Sequence, residues 1–405
     1  MRSRVAMTVT MVLAALLLPV PSGVAASSGF TRILLTSTAT PATSQYVSWS
    51  RSRAASGQRV VTVAPDGTVR TSPAVRKTGT TKRTAGSTQY RYVARVSGLT
   101  PSTRYRYRIV SGSTVSSWRT FRTAPRAGEP FTLLSFGDTQ VDNAGVPEST
   151  IDRAVKRYPS GELMLQAGDV VNKPWVGREW ADLHRALTPS GQSRSWISSI
   201  GNHEQCKVPG PCRSGSARGF RSYFQGASNG FDGQRRTWFR VDHGPARIIV
   251  LDSFGSDLKR QRAFLIDSLR TNRRAWSIVL MHRGPFAARG DRDNAEIRRW
   301  FLGPLEKYGA DLVLSGHDHS YARATKAGVT YVTSVSGPKY YDTSAKDFRE
   351  NGARRVKWAE RTSTFQALRI TPTTLRLRAV VSHRAKGAKP ATAVGRTLDL
   401  FTLRR

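Results

Sequence analysis

Hydrophobic and polar positions change rhythm near the first third of this chain. From residue 30 to 123, short runs alternate apolar and polar side chains, as in Gln45-Tyr-Val-Ser-Trp49, Arg59-Val-Val-Thr-Val63 and Tyr90-Arg-Tyr-Val-Ala-Arg-Val96. Gly, Ser, Pro and Asp separate the runs. A period of two broken by turn residues predicts half-buried strands, and many of them in succession predict an all-β sandwich. Ala127-Gly128-Glu129-Pro130 then reads as a short linker. Beyond it, continuous apolar runs alternate with stretches of helical period. Strands are expected at Phe131–Phe136, Leu163–Gln166, Trp196–Ile200, Ala246–Leu251, Trp276–Met281 and Leu312–Leu314, and helices over 178–187, 258–270 and 294–308. The last carries Ile297, Phe301, Leu302 and Leu305 at helical spacing. Such βα alternation predicts sheets covered by helices. Four further strands close the chain: Thr330–Val335, Thr364–Ile370, Thr374–Val381 and Leu398–Leu403. No internal repeat is visible. The reading is a multidomain protein, with a β-sandwich at 27–126 and an α/β domain at 130–405.

The first 26 residues follow a different rule. Arg2 and Arg4 precede the mostly apolar run Val5 to Val20, Pro19 and Pro21 break it, and Val24-Ala25-Ala26 offers small residues for cleavage. This predicts an export signal and a secreted, extracellular protein. The strongest apolar stretch, Met11 to Val20, is short for a bilayer span. No later segment is long and apolar enough to cross a membrane.

Length and composition fit this picture. A chain of 405 residues with 39 % hydrophobic content allows two domains, or three, with sizeable cores. The net charge is +37, most of it arginine. That charge would attract polyanions such as nucleic acid, wall phosphate polymers or anionic headgroups. The same arginines, dispersed rather than gathered in a tail, are equally a solvated surface. The two cysteines, Cys206 and Cys212, flank Pro209-Gly210-Pro211. In an exported chain they are expected to form a disulfide closing a small loop. A zinc pair would need further ligands that the surrounding sequence lacks.

Five segments place metal-binding side chains just after predicted strands, where open α/β sheets put their sites. They are Gly137-Asp138-Thr139-Gln140, Gly168-Asp169-Val170-Val171-Asn172, Gly201-Asn202-His203-Glu204, Met281-His282-Arg283 and Gly316-His317-Asp318-His319. The glycines are expected to let the backbone turn sharply. Oxygen and imidazole donors suit Zn, Mn or Fe. Each segment alone is a weak signal, since Gly-Asp is usually a turn and a lone histidine usually a packed or surface residue. Four of the seven histidines fall inside the five segments, while His184, His243 and His383 lie outside and read as structural or surface residues.

The order and spacing of the five segments resemble those of the calcineurin-like metallophosphoesterases, over nearly all of residues 130–405. The run Gly316-His-Asp-His-Ser-Tyr-Ala-Arg323 resembles the Gly-His-x-His-x-Tyr-x-Arg of purple acid phosphatases. Upstream, Gly98-Leu-Thr-Pro-Ser-Thr-Arg-Tyr-Arg-Tyr-Arg-Ile109 resembles a fibronectin type III signature, in which Tyr105 or Tyr107 would tie its hydroxyl to backbone. The ending Trp118 to Pro125 resembles the exit strand of that domain and of the purple acid phosphatase N-terminal domain. The resemblance implies a four-layer α/β/β/α catalytic domain and two metal ions. Asp169 would bridge them, Asp138 and His319 would bind the first, and Asn202, His282 and His317 the second. A water between the metals would lose its proton and attack phosphorus. His203 would protonate the leaving oxygen or bind the phosphoryl group, with Arg283 and Tyr321 as further phosphate contacts. The implied activity is hydrolysis of phosphate monoesters, or of diesters.

Two positions depart from the family pattern. Gln140 stands where many members have histidine, and Asn172 where true purple acid phosphatases have the tyrosine that binds iron and gives colour. Gln140 could offer a carbonyl oxygen, a harder and weaker donor than imidazole. Asn172 could do the same, or accept a hydrogen bond from His203 and fix its ring. The first metal is therefore expected to dissociate more readily than in members with the full set. A competing reading is a weakened scaffold that serves as a basic, extracellular polyanion-binding protein. The sandwich would either anchor the enzyme to wall polymers or pack against the cleft. Loop 204–235 would form a cleft wall.

Overall fold

The computed structural model describes residues 29–77, 89–141, 145–188, 190–215, 217–231 and 236–405. The expected export signal, 1–26, lies outside them. Among the described residues no helix is long and apolar enough to cross a membrane.

The alternating segments of the first third form eight strands: β1 (Thr31–Ser37), β2 (Ser44–Arg51), β3 (Gln58–Val63), β4 (Val69–Arg76), β5 (Tyr90–Ser97), β6 (Arg104–Ser111), β7 (Thr114–Val115) and β8 (Arg119–Arg122). One sheet runs β1-β2-β5 and the other β3-β6-β8, all antiparallel. β4 pairs with β3 through Val69–Pro73 and with β5 through Ala74–Arg76, so it crosses between them. The inward residues Val47, Trp49, Val60, Tyr92, Tyr107, Ile109 and Phe121 form one core. Each such large side chain contributes about 1.5–3 kcal/mol when fully buried. Of the two candidate tyrosines, Tyr105 takes the corner position, its hydroxyl accepting the Thr100 N–H at 2.9 Å. Tyr107 instead donates to the Gln192 carbonyl of the second domain at 2.8 Å.

The second part begins with β9 (Phe131–Phe136), α1 (Gly145–Arg157), β10 (Gly161–Gln166), α2 (Gly177–Leu187), β11 (Ser195–Ser198) and α3 (Arg218–Tyr223). There follow β12 (Phe239–His243), β13 (Ala246–Val250), α4 (Leu258–Arg270), β14 (Trp276–Leu280), a helical stretch 295–307, and β15 (Leu312–Ser315). β16 (Tyr321–Lys326), β17 (Val329–Thr333), β18 (Arg354–Ile370), β19 (Thr374–Lys389) and β20 (Thr397–Arg404) complete it. The first sheet has the order β20-β19-β18-β9-β10-β11, with β9, β10 and β11 parallel. The second has the order β12-β13-β14-β15-β17-β16-β18, with β13, β14, β15 and β17 parallel. β18 belongs to both: its first half pairs with β16 and its second with β9.

The two sheets bury Leu133, Leu165, Ile248, Ile278, Leu312 and Leu377 between them. The first sheet is covered outside by α1, α2 and α3 through Ile151, Trp180, Leu183 and Phe220. The second is covered by α4 and the 295–307 stretch through Phe264, Leu265, Ile297 and Phe301. This is the four-layer α/β/β/α arrangement that the resemblance implied, preceded by the β-sandwich. A single parallel pair, Thr36 with Trp196, joins the sandwich to the first sheet.

Among the described elements, α1, α3, β12 and β16 escaped the pattern reading, and β18 was read only in its second half. α1 buries Pro147, Thr150, Ile151 and Ala154, which is helical spacing, but only Ile151 and Ala154 announce it as apolar. β18 starts at Arg354 instead of Thr364, because its first half carries Arg354, Arg355, Lys357 and Glu360 and shows no apolar period.

Candidate metal centre

All five motif segments follow strands: 137–140 after β9, 167–172 after β10, 199–204 after β11, 281–283 after β14 and 316–319 after β15. Parallel strands deliver them to one edge where the two sheets meet. The main chain then ties them together. Gln140 N donates to the Asp169 carbonyl at 2.9 Å, Gly316 N to the His282 carbonyl at 2.9 Å, and Ser336 N to the Asp138 carbonyl at 2.9 Å.

The side chains converge. His282 Nε2 lies 3.1 Å from Asp169 Oδ2 and 3.2 Å from Asn202 Oδ1. His319 Nε2 lies 3.2 Å from Asp138 Oδ2. His282 and His317 rings stand 5.0 Å apart. Gln140 Nε2 reaches Asp169 Oδ2 at 3.4 Å. Asp138, Gln140, Asp169, His282 and His319 are all buried, and Asn202, His203 and His317 partly so.

Close packing of loops against carboxylates explains two of the glycines. A Cβ on Gly201 would stand 2.0 Å from Asp169 Oδ1, and one on Gly316 would stand 2.1 Å from Asp138 Oδ1. Room for the carboxylate, rather than a left-handed turn, is what these positions require. Gly168 does take a left-handed turn, with φ of 83°, and the other turns fall on candidate ligands: Gln140, Asp169, His317 and His319 have φ of 38°, 48°, 73° and 50°. Non-glycine residues in that region carry strain of order 1–3 kcal/mol each, which the surrounding contacts must hold.

Backbone carbonyls orient the imidazoles. His282 Nδ1 contacts the Ala167 carbonyl at 2.6 Å and His319 Nδ1 the Lys339 carbonyl at 3.1 Å. A carbonyl only accepts, so Nδ1 carries a hydrogen and Nε2 is the nitrogen that faces inward. Burial opposes ionisation of Asp169, but the imidazoles of His282, His203 and His317 outweigh it and hold the carboxyl below its ordinary value. Burial likewise works against the charged form of His282, yet the Asp169 and Asp138 carboxylates raise it to about 9. Burial, with His282 and Arg292 nearby, depresses His317 well below the usual imidazole range.

The donor set fits metal ions. Asp169, His282 and His317 offer ligand atoms within 4.8 Å of one another, and so do Asp138, Asp169 and His319. Asp169 is common to both groups. Asp138 Oδ2 and Gln140 Oε1 are buried with no hydrogen-bond partner. An orphaned buried acceptor costs about 1–3 kcal/mol, and a cation facing it removes that cost. Carboxylate, amide oxygen and imidazole together match Zn, Mn or Fe. Two metal ions with Asp169 between them therefore suit the site.

The remaining candidates have other partners. His203 Nδ1 bonds to position 172, as expected, but to the main-chain carbonyl of Asn172 rather than its side chain. Its Nε2 then points toward Asp169 Oδ2, 3.7 Å away. Arg283 is engaged in an ion pair with Glu296 at 2.6 Å and lies over the Phe254 ring. Tyr321 corrects the expectation of a phosphate contact. It is 0 % exposed within the core between the sheets, and its hydroxyl donates to Asp399 at 2.9 Å, beside the Arg323–Asp399 ion pair. The tyrosine of that motif is a packing residue in this chain.

Two contributors carried no assigned role in the sequence reading. The Glu204 carboxylate accepts three backbone N–H groups: Asp169 at 2.9 Å, Gly201 at 3.0 Å and Val171 at 3.1 Å. Burial and the nearby Asp169 push its carboxyl up, against the backbone N–H donors of Val171 and Gly201, which favour the charged form. Tyr341 packs against His319 in a tilted arrangement, ring centroids 4.7 Å apart. Glu204 stood in the Gly201-Asn202-His203-Glu204 segment without a role of its own, and Tyr341 had no signal.

Residues 131–321 match the family of calcineurin-like phosphoesterases, and residues 30–123 match the purple acid phosphatase N-terminal domain. An uncharacterised protein of Mycobacterium tuberculosis is 28 % identical over 287 residues, covering 62 % of this chain and 54 % of that protein. A purple acid phosphatase of Glycine max is 26 % identical over 262 residues, covering 60 % and 54 %. The chain spans about half the length of these curated relatives. Among solved structures, the purple acid phosphatase PPD1 from yellow lupin superposes with a TM-score of 0.75 at 15 % identity, over 93 % of this chain and 74 % of that one.

Proposed function

We propose that this chain, which joins a calcineurin-like phosphoesterase domain to a purple acid phosphatase N-terminal domain, is a secreted phosphoesterase that hydrolyses phosphate monoesters with two metal ions. The observation that carries this reading is the pair of ligand groups sharing Asp169. Bound metals would supply Lewis acidity at the phosphoryl oxygens and an activated water. The chain's own residues do the rest. Asp138, His319 and Gln140 would hold the first metal, and Asn202, His282 and His317 the second, with Asp169 between. The Asn172 carbonyl fixes the His203 ring so that Nε2 faces the site, where it can hold a proton and pass it to the departing alcohol oxygen. General acid catalysis of this kind contributes about 10²–10⁴-fold. The Cys206–Cys212 disulfide supports export, since such bonds persist in oxidising compartments.

The net charge of +37 favours a second reading, a basic scaffold that binds extracellular polyanions. Hydrolysis of a chromogenic phosphate monoester and a diester separates the two. Protein loaded with Mn, Zn or Fe is compared with Asp169→Ala and His203→Ala. Turnover by the wild type is expected, with metal binding lost in the first variant and retained in the second, whose rate falls steeply. A fully metallated wild type inert toward both esters refutes the enzyme reading.

A further inference from the structure

A cavity of about 780 Å³ adjoins the candidate metal centre, a volume typical of small-molecule sites. Its walls come from the disulfide loop after His203, the start of α3, and the turn between β13 and α4. Phe254 belongs to both places: it lines the cavity, and its ring lies 5.1 Å from that of His317. The disulfide, with Cα atoms 5.9 Å apart across six residues, fixes the loop that carries the outer wall.

The charges in this cavity divide unevenly. Its three acids are committed elsewhere. Glu204 is spent on backbone N–H groups, Asp252 accepts Gln205 Nε2 at 2.6 Å, and Asp257 caps α4 and pairs with Arg260 at 3.3 Å. Lys207, Arg213 and Arg218 are exposed along the same walls, and among the described residues none of the three is in an ion pair. Lys207 shares its field with the buried Asp252, and among the described residues Arg213 and Arg218 have no acid against them, so the balance of charge facing the cavity is positive, and it sits beside the edge where a substrate's phosphoryl group would be bound.

We propose that this cavity receives a second phosphate on the leaving group, so that the preferred substrates are phosphoanhydrides and esters of alcohols already phosphorylated. Lys207, Arg213 and Arg218 are its specificity-determining residues, and their donors match phosphate oxygens. The proposal rests on the phosphoesterase reading. In the reaction, the P–O bond to the leaving group, a phosphate or a phosphorylated alcohol, breaks and water oxygen joins the attacked phosphorus. A water proton ends on the departing oxygen, and no oxidant or reductant takes part.

The test compares tripolyphosphate with 4-nitrophenyl phosphate on the metal-loaded protein. In the triple variant Lys207→Gln, Arg213→Gln, Arg218→Gln, the ratio of kcat/KM for tripolyphosphate to that for 4-nitrophenyl phosphate is expected to fall about tenfold or more, since solvent screening limits what exposed charges contribute. Arg213→Lys with Arg218→Lys should restore part of it. An unchanged ratio overturns the proposal. Calorimetry with methylenebisphosphonate gives a readout independent of turnover: the wild type should bind about tenfold more tightly than the triple variant, consistent with a few charge-assisted contacts. Equal binding, or none, overturns the cavity's role. Inert protein that still binds the bisphosphonate more tightly than the variant instead overturns the phosphoesterase reading. Inorganic phosphate serves as a control, because a site for free phosphate alone would show the same tenfold difference with that ion.

Discussion

The carboxylate of Glu204 accepts the backbone N–H of Asp169 at 2.9 Å, so a residue beside His203 holds the loop that carries the carboxylate common to both candidate ligand groups. Its other bonds, to Gly201 and Val171, lock the loops after β10 and β11 to each other. Glu204→Gln keeps the shape but turns an acceptor into an N–H facing another N–H. Metal affinity and kcat/KM should each fall about 10–100-fold, the usual cost of losing such a support. Metal titration by calorimetry checks this, and unchanged affinity would count against it.

Gly201→Ala tests the close approach. The new methyl would overlap Asp169 Oδ1, so either the 199–204 loop or the carboxylate must move. We expect folded protein with a lowered Tm and loss of tight metal binding, read by thermal unfolding with and without added Mn. Overpacking of this kind typically costs 1–3 kcal/mol.

Gln140→His should tighten the first site. Gln140 Oε1 has no partner, and imidazole is the stronger donor for Zn, Mn or Fe. Competition with a chelator should show one of two metals leaving the wild type more readily, and the difference shrinking in the variant. Two equally tight sites in the wild type would contradict this account.

Iron-loaded protein should lack the strong visible band of a tyrosinate–iron pair. Position 172, where true purple acid phosphatases have the iron-binding tyrosine, is asparagine. A visible absorption spectrum of the iron-loaded protein decides it.

His243 links stability to pH. Its ring packs on Phe131, centroids 4.6 Å apart, and both ring nitrogens are buried without partners. Burial depresses it to about 3. In the unfolded chain it titrates near its ordinary value of about 6.5, so below that pH the unfolded state binds the proton and the folded state does not. Its contribution is fully present above about pH 6.5 and is lost as pH falls toward 3, a change on the order of a few kcal/mol. His243→Phe should flatten this part of the stability profile in chemical denaturation at pH 7 and pH 5. An identical slope in both proteins would contradict the assignment.

The two-part fold and the neighbourhood of the candidate metal ligands were legible along the chain, because both are written locally. Alternation of period two marks the sandwich strands, apolar runs mark the buried parallel strands, and each candidate ligand sits within a few residues of a strand end. Tertiary structure decided what depends on partners distant in the chain. Tyr321 turned into the core because Asp399, 78 residues later, receives its hydroxyl. Arg283 was taken by Glu296. His203 found a carbonyl at 172 where a side chain was expected, since a main-chain acceptor is supplied by any residue type and leaves no mark in the sequence. The clearance at Gly201 and Gly316, and the charge left uncommitted in the adjoining cavity, arise only when separate loops are pressed together. Local periodicity encodes where a strand ends, but the contacts that form beyond it are settled by packing of the whole.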